Sequence, residues 1–155
     1  MNDIEFLSRI SKELLDEGKA VRFQVKGWSM RPFIQDEDFI TVAPARNSKM
    51  KIGDIVYYFT PEKKPRVHRV VKVCKKRGQV TYLIKGDAVF SSAERVEAGS
   101  VLGKVTAVER KGRTKRLDTA SSRIKSLLLA AMSPFNRWAY SLGSLVKQTR
   151  SLFRS

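Results

Sequence analysis

The chain has one cysteine, one histidine and five prolines in 155 residues. A lone Cys74 closes no internal disulfide, so no disulfide framework holds the fold and burial has to do so. Its setting beside Val71 and Val73 reads as a strand, and the thiol as a small packed side chain. Long apolar runs are missing as well. The first residues, MNDIEFLSRISKELLDEGK, carry neither a basic leader nor an unbroken apolar stretch, so neither a secretory signal nor an anchor helix is expected. The longest uncharged run of the C-terminal part, Ser126 to Asn136, is too short to cross a bilayer. No metal or cofactor is expected.

Acidic residues are scarce in one place only. Met1 to Glu109 holds 20 basic and 14 acidic residues, whereas Arg110 to Ser155 holds 11 basic and one acidic, out of a net charge of +16. Most of the positive field therefore belongs to the C-terminal part, and such a field favours anionic partners. With 42% hydrophobic and 30% charged residues the composition is globular, and the length suits about one domain with appendages.

Four segments follow from periodicity. From Asp3 to Glu17, Ile4, Leu7, Ile10, Leu14 and Leu15 recur at helical spacing, with Asp3 as an N-cap and Gly18 as the stop, giving an N-terminal helix over 1–19. Over 20–110 the pattern changes to short β-branched runs, VRFQV, FITVA, DIVYYF, VHRVVKV, VTYLI and VLGKVTAV, broken by turn residues. The fold class is mainly β, a compact antiparallel coiled sheet or partial barrel. Residues 111–119 are polar and read as a linker. The remainder, 120–155, reads as helical, with Pro134 opening its second helix. Phe135, Trp138, Leu142, Leu145, Val146 and Phe153 fall on one side of that helix, and Arg137, Lys147, Arg150 and Arg154 on the other. Such a basic amphipathic tail suits an anionic membrane surface, reached through Phe135, Trp138, Leu142, Arg137, Lys147 and Arg150, as well as it suits packing on the domain. Cytoplasmic residence, peripheral to the inner face of a membrane, is the matching expectation.

The chemistry-bearing residues are few enough to name. VKGWSMRP places Ser29 on a tight loop, where Gly27 allows the backbone to turn and Pro32 stiffens the exit. His68 is the only histidine, and it lies in a β-forming run. A neutral imidazole is the best proton acceptor this chain has for a serine hydroxyl, and a rise of activity through about pH 6–7.5 would follow from it. Asp87, in IKGDAV, could orient that imidazole as the acidic member of a triad.

Taken together, G-x-S-M-x-P, then Gly53-Asp54-Ile55-Val56, VHRVV, Gly86-Asp87 and Gly103-Lys104-Val105 form an ordered series. Over about Val21 to Arg110 it resembles the signal peptidases and self-cleaving repressors, a serine peptidase group. The resemblance implies Ser29 as nucleophile, Met30 as the residue after it, His68 at the general-base position and Asp87 in the late acidic box. It also implies a peptide or precursor-protein substrate. Bacterial members of the group are known for a lysine base, whereas archaeal and endoplasmic-reticulum signal peptidases have histidine, as VHRVV does here. Signal peptidases commonly read S-G-S-M at the nucleophile. Gly27 stands where their first serine would be, as in the repressors, which leaves the oxyanion to backbone N–H groups, that of Ser29 first.

Histidine-type signal peptidases also carry an aspartate several residues after their G-D, and here that stretch reads Ser91, Ser92 and Ala93. Three arrangements stay open: Asp87 orients His68, Glu94 reaches it instead, or a Ser-His dyad acts without a carboxylate. Two other function classes also stay open, a catalytically inactive peptidase fold that binds partners and a basic nucleic-acid-binding module. Nucleic acid is not the expected partner, because no helix-turn-helix or RNA-binding signature is present and the tail has an apolar face that it would not need.

Overall fold

The computed structural model describes residues 3–46, 49–89 and 92–117. The tail and its helices, with Phe135, Arg137, Trp138, Leu142, Lys147 and Arg150, lie outside the described residues.

Helix α1, Asp3–Asp16, is followed by strands β1 Val21–Gln24, β2 Phe39–Pro44, β3 Ile55–Phe59, β4 Pro65–Lys76, β5 Gln79–Lys85, β6 Glu94–Glu97, β7 Val101–Arg110 and β8 Arg113–Arg116. They form one antiparallel sheet in the order β1-β2-β7-β3-β4-β5-β6, curled into a half-barrel. The mainly β expectation therefore holds, and the six anticipated strands all form. Strand β7 organises the sheet. Along one edge it pairs with β2, while the other edge takes β3 over its first half and β8 over its second.

Strand β8 replaces part of the linker expected over 111–119. Lys111 and Gly112 adopt positive φ values of 50° and 72°, and Arg110 pairs with Arg113. Two left-handed residues in a two-residue loop match the right-handed twist of the flanking strands, so this polar stretch closes a hairpin. Polarity alone hid it, because RTKR is exposed throughout.

Alternation along β3 splits the core in two. Ile55 and Tyr57 face a cluster with Leu15, Met30, Ile34, Ile40, Val42, Val105 and Val108, while Val56 and Tyr58 face another with Met50, Val70, Tyr82, Ile84 and Val96. This is the period of two expected of a strand buried on both faces. Helix α1 joins the first cluster through Leu15, and its Ser11 hydroxyl lies 2.9 Å from the Tyr57 hydroxyl. Of the helical stripe read from sequence, Leu15 is buried, but Leu7 is exposed.

Candidate active site

Ser29 sits on a loop that the first core and several hydrogen bonds fix in place. Gly27 has φ 112°, a conformation that side chains rarely adopt, and its N–H donates to Asp36 Oδ1 at 2.7 Å. Beyond the nucleophile position, the Ile34 N–H donates to the Met30 carbonyl, and Met30 and Ile34 are buried in the first core. With its neighbour anchored inward, Ser29 is left half-buried at the surface of the domain. Trp28 beside it is exposed, with the Arg31 guanidinium 3.8 Å from its ring centroid.

Strand β4 brings His68 to this loop. Its Nε2 lies 3.1 Å from Ser29 Oγ, so two residues 39 apart in sequence meet as nucleophile and base would. His68 is buried, and burial pushes its pKa below the ordinary imidazole value. The negative charge of Glu94 works against that shift, Arg66 adds to it, and Asp87 opposes it more weakly. The imidazole is thus neutral near pH 7, as a proton acceptor must be.

The other ring nitrogen meets Tyr58. Nδ1 lies 3.1 Å from the Tyr58 hydroxyl, and that hydroxyl donates to Glu94 Oε2 at 2.8 Å. His68 pairs with Val56 in the β3–β4 ladder and Tyr58 with Arg66, so Tyr58 and His68 share a face of the sheet as diagonal neighbours. Tyr58 itself was not singled out in the sequence. The signal was available in the alternation of IVYYF, which places one tyrosine on the His68 face.

Asp87 differs from expectation. Its carboxylate oxygens accept 2.7 Å and 2.6 Å bonds from Arg69 Nε and Nη2, and both side chains are almost fully buried. A bidentate guanidinium partner occupies the carboxylate, so Asp87 does not abut the imidazole. Arg69 also donates to the Gly53 carbonyl at 2.9 Å, and its guanidinium lies 4.8 Å from the Phe33 ring centroid. Asp54 pairs with Lys104 at 2.7 Å. The Gly53-Asp54, Gly86-Asp87 and Gly103-Lys104 motifs are therefore joined to one another, by Arg69 and by an ion pair. Gly86 lies directly against the Ser29 loop. A Cβ there would lie 2.7 Å from the Ser29 carbonyl oxygen and 3.1 Å from Ser29 Cβ, and the Ala88 N–H donates to that same carbonyl at 2.8 Å. The late acidic box thus braces the nucleophile loop from behind. Of the two acids considered for the imidazole, Glu94 reaches it, through Tyr58.

A cavity of about 780 Å³ opens elsewhere, lined by Met50, Ile52, Tyr82 and Val105 among others, and neither Ser29 nor His68 borders it.

The site is thus a serine hydroxyl facing a buried imidazole, on a half-barrel that braces the serine loop. Residues 3–106 match the family described as Peptidase S24-like, and the chain belongs to it. Comparison with curated proteins gives no match.

Proposed function

We propose that the protein is a serine endopeptidase that cleaves a peptide bond in a precursor or leader-bearing protein. The observation that carries this reading is the 3.1 Å approach of His68 Nε2 to Ser29 Oγ. As a peptide carbonyl arrives, His68 Nε2 takes the hydroxyl proton while Oγ bonds to the carbonyl carbon, and the same nitrogen gives that proton to the amine as the C–N bond breaks; water, deprotonated by His68, then attacks the Ser29 ester, and the proton returns to Oγ as the acid product leaves. The Ser29 N–H is the first donor proposed for the oxyanion. Exposed Trp28, adjoining the nucleophile, offers the substrate an apolar contact. Membership of the Peptidase S24-like family supports the same chemistry.

The cationic C-terminal part completes the proposal. Its amphipathic pattern suits a helix lying on an anionic leaflet, which would hold the enzyme near membrane-bound precursors on the cytoplasmic side. Reaction of the purified protein with a fluorophosphonate, followed by mass mapping, tests the enzymatic reading. Modification of Ser29 that is lost in Ser29→Ala and in His68→Ala is the expected result. Undiminished peptide cleavage by Ser29→Ala would overturn it.

A further inference from the structure

A serine peptidase base needs its proton on the nitrogen that faces away from the nucleophile, and in water a free imidazole prefers neither arrangement strongly enough to guarantee this. The usual orienting carboxylate is absent from the His68 ring, because Asp87 is committed to Arg69 through both oxygens. What meets Nδ1 is a phenol. Tyr58 has one hydroxyl hydrogen, which it donates to Glu94 Oε2. Its oxygen therefore has only lone pairs to present to His68 Nδ1, and the 3.1 Å contact is a hydrogen bond only if Nδ1 carries the proton. That leaves a lone pair on Nε2 for the Ser29 hydroxyl.

We propose that Tyr58 and Glu94 are positioning residues, a phenol–carboxylate relay that holds His68 in the Nδ1–H tautomer and steadies the imidazolium when the base is charged. The inference rests on the peptidase reading for its catalytic meaning, although the tautomer itself does not. No proton need leave Tyr58 during turnover. Burial first, then the hydrogen bond and charge of Glu94, push its pKa well above the ordinary phenol value, so it stays protonated and works as a spacer between acid and base. Tyr58 is fully buried, whereas Glu94 lies on β6 with its residue exposed. Changes to the carboxylate therefore leave the core alone.

Because His68 is the only histidine, ¹⁵N-histidine labelling of the full chain gives a single imidazole to read. Long-range ¹H–¹⁵N spectra of the wild type above the histidine pKa should show Nδ1 as the protonated, pyrrole-type nitrogen. Tyr58→Phe keeps the ring and removes the acceptor. It should move the population toward Nε2–H and lower kcat about tenfold, the scale of one lost orienting hydrogen bond, with KM little changed. In Glu94→Gln the lost negative charge should shift the acid limb of the pH–kcat profile to lower pH, and Glu94→Asp should restore part of the wild-type limb. A wild-type imidazole protonated on Nε2 would overturn the relay, as would a tautomer unmoved by Tyr58→Phe. The two readings fail differently. If Ser29→Ala cleaves as well as wild type while the spectra still show Nδ1–H, the relay stands and the peptidase assignment falls.

Discussion

Burial holds the His68 pKa below the usual imidazole value of about 6.5, and this moves the expected pH dependence from where the sequence alone puts it. Activity needs the neutral ring, so the acid limb should lie on the acid side of about pH 6.5 instead of rising through neutrality. A kcat/KM profile checks this, and a limb above about pH 9 would indicate a lysine base. The same shift has a stability consequence. The unfolded chain takes up a proton at His68 more readily than the folded one, so this contribution is complete above about pH 6.5 and is lost as pH falls toward the lower folded value. Asp87 acts by other means. Arg69 is fully buried, and removing its partner in Asp87→Asn leaves an uncompensated guanidinium in the interior, a loss of about 3–5 kcal/mol. Denaturant melts should show that loss, and any fall in turnover beyond the unfolded fraction would come from the loosened Ser29 loop.

Among the elements, the turn after β5 does more for the nucleophile than its sequence suggests. Gly86→Ala would place a methyl against the Ser29 carbonyl oxygen at 2.7 Å and Val89 Cγ2 at 2.8 Å, so the loop must move. Turnover on the folded protein should fall by more than about tenfold, since a displacement on the ångström scale at a reacting group is enough for that. Comparison of kcat with the melting curve separates this from unfolding. The β-branched runs made β1 to β5 and β7 legible, and the resemblance named Ser29 and His68, whose side chains lie 3.1 Å apart. Strands β6 and β8 were hidden because ERVE and RTKR are short, charged and largely exposed, and only their pairing to β5 and β7 makes them strands. The role of Asp87 was misplaced for a related reason. Spacing cannot say whether a carboxylate meets an imidazole or the arginine next to it in sequence, since consecutive residues of β4 point to opposite faces.

Across the whole molecule, charge and apolar pattern divide between a β-domain and a cationic C-terminal part whose sequence carries most of the positive surplus. Wild type should float with anionic vesicles, less so at high salt, and a truncation at Thr119 should stay behind. Equal flotation of the truncated chain would remove the membrane role. Within the β-domain, the doublet Tyr57-Tyr58 ties the two sides of the sheet together. One phenol meets Ser11 of the helix and the other meets His68. A one-residue slip of β3 would turn each side chain to the opposite face and would keep a phenol at only one of the two contacts, with either Val56 replacing Tyr57 opposite Ser11 or Phe59 replacing Tyr58 opposite His68. Two adjacent copies of the same amino acid thus act as a double lock: a strand one step out of phase can satisfy the helix or the base but not both, so only the native alignment closes the core and sets the site together.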